Sequence, residues 1–300
     1  MATRPEPTGD PGLYGPGSEA WRLNRDAALL LGAGPRALLL QLAHPLVAEG
    51  VDQHSDFAAD PWKRLTGTLN SYLAIVYGST ARARAEIRRL NELHRSISGP
   101  VRDPAARTRH GPTYQARDPE LSMWVHATLV DSTIVAVDAW LEPLSRFRRQ
   151  RFYGETRHIG RAFGIPDDLL PADLAGFETY LQGMLAPDGP IRVSATAKAL
   201  ARHVLRPPLG PVVPALGWVP PQAYGWTFLP AIKLLPETVR DGYGLRWGPL
   251  ERATATALAA GYRFWRPWFP TELRWMPQAR AADRRVAAGR DQYSRGKRVL

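Results

Sequence analysis

A chain of 300 residues with 44% hydrophobic content and 9% aromatics can bury a sizeable core, which excludes extended disorder. Zero cysteines exclude disulfide scaffolds, iron–sulfur clusters, thiolate-ligated haem and cysteine-based zinc sites. The net charge of +11 is carried almost wholly by arginine, because lysine occurs only at Lys63, Lys198, Lys233 and Lys297; acids are interspersed throughout, so the basic clusters Arg146 to Arg151 and Arg280 to Arg290 read as solvated helix faces and no nucleic-acid partner is expected.

Residues 1–17 are rich in proline and glycine and read as a flexible N-terminal arm, residues 18–290 as one helical domain and residues 291–300 as a C-terminal tail. The opening Met-Ala-Thr-Arg-Pro-Glu-Pro lacks the apolar stretch of a secretory signal, which sets the expectation of a cytoplasmic protein. Ser18 and Glu19 open a periodic run that stops at Gly32-Ala33-Gly34, and Pro35, suited to a first helical turn, starts a second helix reaching Gly50. Asp60 caps a third helix, with Pro61 in its first turn, that runs to Tyr77. Gly78-Ser79 turns the chain into a fourth, Thr80 to Ile97, closed by Ser98-Gly99-Pro100. Asp118 and Pro119 start a long helix that Pro143 must end, and helical stretches follow over Arg146 to Phe163, Ala172 to Leu185, Arg192 to Leu205 and, as a set, from about Leu250 to Ala288. Strand-like alternation is nearly absent, so the fold class is all-α, a single helical domain with the hairpin Pro61 to Ile97 at its centre.

No apolar stretch reads as a membrane span, because Arg36 interrupts the first candidate and prolines break Leu209 to Ile232. The segment Pro207 to Pro236 carries Trp218, Tyr224, Trp226 and Phe228 with no charge before Lys233 and suits a core-crossing loop, a channel wall or a peripheral membrane contact. Gly32 to Ala37 spells G-x-G-x-x-A but follows a helix, which removes the strand that a dinucleotide site needs. The signatures of P-loop enzymes, nucleophile-elbow hydrolases and zincins are missing, as are the Glu-x-x-His pairs of di-iron bundles, since Asn91 precedes His94 and Met123 precedes His126 at that spacing.

Histidines carry what remains. Of the five histidines in the first half of the chain, His44, His54, His94 and His126 are the candidates, and the ordinary role of each is a hydrogen-bonded core imidazole or a helix terminus. In an antiparallel hairpin turning at Gly78-Ser79, Arg64 and His94 come level, each roughly 20 Å from the turn at a rise of about 1.5 Å per residue. Thr68 lies one helical turn from Arg64 on the same face, so a cation, a hydroxyl and an imidazole surround one space, into which a flat cofactor fits if the helices splay.

The strings LLLGAGPRALLLQLAHPLVAEGVDQHSDF, Arg64 to Thr68, Tyr77-Gly78, ELHRSISG and TYQARDPELSMWVHATLVDS, in this order, resemble the catalytic domain of MpaB-type oxygenases and latex-clearing proteins (rubber oxygenases) over roughly Ser18 to Pro277. The resemblance implies a globin-like helical core around non-covalent haem b and oxidative cleavage of carbon–carbon double bonds in isoprenoid chains by dioxygen. It implies His94 as the proximal ligand of the iron, and Arg64 and Thr68 as catalytic groups of the distal pocket. His126 and His44 also belong to the pattern and are further candidates for contact with the cofactor. Rubber oxygenases place a lysine just before the distal threonine; here that position is Gly67, so no lysine-ligated resting state is available.

The leading expectation is therefore a haem-dependent oxygenase acting on a hydrophobic small molecule. One rival is a non-haem metal oxygenase that gathers His44, His94 and His126 with a carboxylate such as Asp131. The other is a helical lipid- or isoprenoid-binding protein without enzymatic activity, its histidines structural and its positive charge touching anionic membranes.

Overall fold

The computed structural model describes residues 6–55, 61–205 and 228–296, with the side chains of 61–65 and 290–296 outside the description. Among these residues the fold is all-α. The helices are α1 (Glu19–Leu23), α2 (Ala33–Leu42), α3 (Pro45–His54), α4 (Pro61–Tyr77), α5 (Thr80–Arg95), α6 (Pro104–His110), α7 (Pro119–Trp140), α8 (Arg146–Ala162), α9 (Leu174–Leu185) and α10 (Ala195–Leu205). After the undescribed part of Pro207 to Pro236 come α11 (Leu229–Lys233), α12 (Glu237–Gly242), α13 (Pro249–Trp265), α14 (Thr271–Arg274) and α15 (Pro277–Gly296). One antiparallel ribbon pairs β1 (Ser98–Pro100) with β2 (Thr113–Gln115), Gly99 opposite Tyr114. No single described helix is long and apolar enough to cross a membrane.

The centre of the fold is α7, not the α4–α5 hairpin expected there. Asp118 accepts a hydrogen bond from Glu120 N at the start of α7, and the helix ends at Trp140, ahead of Pro143. Buried residues from Leu121 to Trp140 lie all round it, which removes an amphipathic stripe and marks a helix enclosed by others. Its main partner is α2, and the Trp124 indole donates to Leu40 O across that contact at 3.1 Å. By contrast α5 buries only Ala83 and Ile87, so the hairpin packs at the edge of the core.

A single helix was expected from Pro35 to Gly50, but the chain bends by 99° at Ala43-His44 to divide it into α2 and α3. The cause is Pro45, whose ring disfavours helical backbone at the residue before it; His44 accordingly sits at φ −79° and ψ 119°, and its Nδ1 accepts from Leu46 N at 3.3 Å. The 3₁₀ turn Ala27–Leu30 likewise interrupts the first expected helix, capped by Asp26. Asp26, almost wholly buried, also accepts from Tyr262 Oη at 2.6 Å and Arg266 Nε at 2.7 Å, joining that turn to the end of α13.

Residues 6–17, read from sequence as a flexible arm, are fastened across the hairpin turn. Glu6 accepts from the amide of Ser79, and Asp10 from the amide and hydroxyl of Thr80, so two carboxylates sit at the start of α5, where helix amides lack partners. Arg285 of α15 pairs with Glu6 and donates to Tyr77 O. Gly78 has to be glycine here, because a Cβ would stand 2.3 Å from Ala74 O. The basic run Arg146 to Arg151 is more than a solvated face: Arg148 pairs with both the buried Glu19 and Glu142, and Arg149 with Asp138.

Arg36 is the one cation of α2 and is only 4% exposed. Its Nη1 meets Asp131 Oδ2 at 2.7 Å and donates to Ser132 Oγ at 2.8 Å, while its Nε donates to Leu234 O at 2.7 Å. One guanidinium thus ties α2, α7 and the end of α11. Because removing one member of a buried pair leaves the other uncompensated, Arg36→Ala is expected to lower the unfolding free energy by about 3 kcal/mol. Urea unfolding at neutral pH checks this, and a loss below about 1 kcal/mol, the range of an exposed pair, would refute it.

Candidate functional site

The two long helices α4 and α5 pack antiparallel about the Gly78-Ser79 turn, as the sequence predicts, and Arg89 of α5 donates to Ser71 Oγ of α4 at 3.1 Å. Arg64 and Thr68 lie one turn apart on α4, with Thr68 half-buried and the Arg64 side chain outside the description. His94 occupies the last turn of α5 and is half-buried. One turn before it, Asn91 Nδ2 donates to Ala162 O at 2.8 Å, while Leu90 packs with Ile87, Ile75 of α4 and Ile159 of α8. The far end of the hairpin is therefore fastened to the end of α8. Gly67 is exposed, and a Cβ added there meets nothing within 4 Å among the described residues.

His126 and His44 lie in different surroundings. His126 faces α8 from α7, buried, and its Nε2 has no hydrogen-bond partner among the described residues. Burial, with a smaller contribution from His158, pushes its pKa down to about 4, so the ring is neutral at physiological pH. A Cβ at Gly160 would come within 3.5 Å of His126 Nε2 and 3.2 Å of Leu170 Cδ1, so the ring abuts α8 without an intervening gap. His44, at the start of α3, is driven down to about 3 by burial, then by His110 and Arg109; the His110 ring lies 5.4 Å away at 42°. Its Nδ1 is committed to the Leu46 amide.

No group of three or more histidine, aspartate or glutamate side chains comes together as a metal site among the described residues. Asp131, the carboxylate considered for a non-haem centre, is instead paired with Arg36. The set His44, His94, His126 and Asp131 is thus not assembled. A porphyrin brings most of its metal's ligands with it, so one imidazole from the chain would be enough to hold it, and His94 is the candidate. The donor chemistry fits such a group, and the Nε2 of His126, without a hydrogen-bond partner among the described residues, is a second candidate nitrogen.

Residues 21–264 match the family described as ER-bound oxygenase mpaB/B'/Rubber oxygenase, catalytic domain. The chain belongs to this family. As a member of the MpaB/rubber oxygenase family it is also 28% identical over 164 residues to the uncharacterized proteins Mb2261 of Mycobacterium bovis and Rv2237 of Mycobacterium tuberculosis, covering 52% of this chain and 61% of theirs. The chain therefore spans less than two thirds of the length of these curated relatives. No solved structure matches it.

Sequence reasoning missed the partners rather than the candidates. His110 beside His44, and His158, whose charge acts on His126, carry no local signal, since each lies far along the chain from the histidine it influences. Arg36 does carry one: a lone cation in the apolar run ALLLQL implies a buried acid elsewhere, and Asp131 stands in an equally apolar helix.

Both buried imidazoles are neutral in the fold and basic when unfolded, which fixes a sign. Their folded pKa values lie below the unfolded 6.5, so the unfolded chain binds more protons in the window between, and stability falls as pH drops from about 6.5 towards 4. Each histidine contributes up to about 1.4 kcal/mol per pH unit there. Replacing His126 by Leu is expected to flatten the dependence of Tm on pH between 6.5 and 4.5, and an unchanged slope would show that the ring is not neutral and buried.

Proposed function

We propose that this member of the MpaB/rubber oxygenase family is a haem b-dependent oxygenase that acts with dioxygen on a hydrophobic, isoprenoid-like small molecule and cleaves a carbon–carbon double bond oxidatively. The observation that carries this reading is the half-buried His94 at the far end of the α4–α5 hairpin, inside the matched region and level along the hairpin with residue 64, one turn from residue 68. His94 would hold the cofactor through its imidazole. Haem b supplies the iron chemistry that activates dioxygen.

The chain's own residues do the rest. Arg64 and Thr68, one turn apart along α4, would offer a permanent cation and a hydroxyl donor to the oxygen substrate. Gly67 contributes no amine between them that could bind the cofactor. Supporting this over a protein-held metal is the absence of any three-ligand cluster among the described residues.

The test is a set of single substitutions assayed for haem content and for turnover of an isoprenoid alkene. His94→Ala is expected to abolish haem retention, because a non-covalent cofactor depends on its axial bond and packing, while His126→Ala keeps it. The opposite pattern would transfer the axial role to His126. Arg64→Ala and Thr68→Ala are expected to keep haem and lose turnover by roughly 10²-fold, the scale of deleting one preorganised donor. Wild-type turnover per haem with a lowered Tm would assign Arg64 a purely structural role.

A further inference from the structure

A second site lies on elements unrelated to the hairpin. Helices α11, α12 and α13 enclose an open cleft of about 480 Å³, lined by Lys233, Glu237, Arg240, Trp247, Arg252 and Thr256, a volume within the range of small-molecule sites. Each helix supplies one cation: Lys233 from the end of α11, Arg240 from α12 and Arg252 from α13.

Arg240 is the informative one. It is 9% exposed, and its only ion-pair partner among the described residues is Glu237, at 3.8 Å and with a side chain 79% exposed. Its Nε is buried without a hydrogen-bond partner among the described residues. The guanidinium stands 5.1 Å from the Trp247 ring, a contact that helps hold the cation but does not neutralise it. A buried guanidinium so weakly compensated is unusual, since buried charges are normally paired or coordinated.

The other two cations add to the excess. Lys233 Nζ donates to Thr256 Oγ1 at 2.9 Å, which fixes the ammonium across the cleft and leaves its charge unmatched. Among the described residues no carboxylate lies within ion-pair distance of Lys233 or Arg252, whereas the neighbouring Arg246 is paired with Glu251 outside the lining. Three cations thus face one exposed carboxylate, in a space too large for a simple inorganic anion alone.

We propose that this cleft binds the phosphate group of a phosphorylated small molecule or lipid headgroup, the phosphate held by Arg240, Lys233 and Arg252 and the organic part lying along Trp247. Arginine forks match phosphate oxygens bidentately, and the indole face offers the apolar wall that an organic phosphate needs beside its charge. This proposal stands independently of the haem reading, because none of its residues belongs to that site.

The probe is inorganic pyrophosphate, titrated into the full chain by calorimetry, alongside sedimentation with phosphatidylcholine vesicles with and without phosphatidic acid. The expected result is one saturable pyrophosphate site per chain, or binding to the phosphatidic acid vesicles only, weakened at least tenfold by Arg240→Gln and by Lys233→Gln. Pyrophosphate binding identifies a soluble ligand, and vesicle binding alone identifies a headgroup. Arg146→Gln, which removes an exposed cation of α8, is expected to leave binding unchanged. Because Arg240 is buried, each variant's melting is compared first; if Arg240→Gln does not fold, Lys233→Gln and Arg252→Gln, both at exposed residues, decide the matter. No binding of either probe, or equal weakening by Arg146→Gln, would overturn the proposal.

Discussion

The packing of this fold depends on a guanidinium that cannot reach water. Arg36, within an otherwise apolar helix, has to find its acceptors inside the protein, and it finds them on two other elements: Asp131 and Ser132 of α7 and the carbonyl of Leu234 after α11. A buried charge without such partners would cost several kcal/mol, so the rotation of α7 about its own axis is constrained by where Asp131 must point. That rotation also aims His126, five residues earlier, at α8. Apolar contacts alone would not set it, because α7 is hydrophobic on nearly every side and could pack in several rotations at similar cost.

The candidate site follows from a different constraint. The α4–α5 hairpin buries little of α5; α4 packs through Leu73, Val76 and Tyr77 against Trp21 and α15, while at the turn Glu6 and Asp10 occupy the amides that open α5, and at the far end Asn91 donates to the last carbonyl of α8. Between them the helices meet through Ile75 and Ile87. The proposed place for a flat hydrophobic group is between these helices near residues 64, 68 and 94, whereas the core around α7 is closed at His126 by Gly160 and Leu170.

Helix ends were legible because they are local: Pro61, Gly78-Ser79, Asp118-Pro119 and Pro143 act through capping and backbone sterics within a few residues. The bend at His44 was written in the same way, in Pro45, but an apolar run on both sides of it reads as continuous until the residue before proline is considered. Which helix lies at the centre was not legible, since the strongly amphipathic α4 and α5 look more like core elements than an evenly apolar α7. The partners of the histidines were hidden for another reason. His44 meets His110 only through tertiary packing, and the charge effect of His158 on His126 likewise arises between helices, so the sequence supplies candidates for a site and the fold decides which of them stand together. The charge of +11 is equally uninformative alone: Arg148 clamps Glu19 while Arg252 has no acid within reach among the described residues, and nothing in their sequence neighbourhoods distinguishes them.

The central claim, that the hairpin carries haem, is tested most directly by the stoichiometry of the purified full chain. Titration with haem, followed by absorption spectroscopy and iron analysis, is predicted to give one haem b per chain with a Soret band that saturates at equivalence. A colourless protein that shows no saturable Soret change on titration would contradict the account.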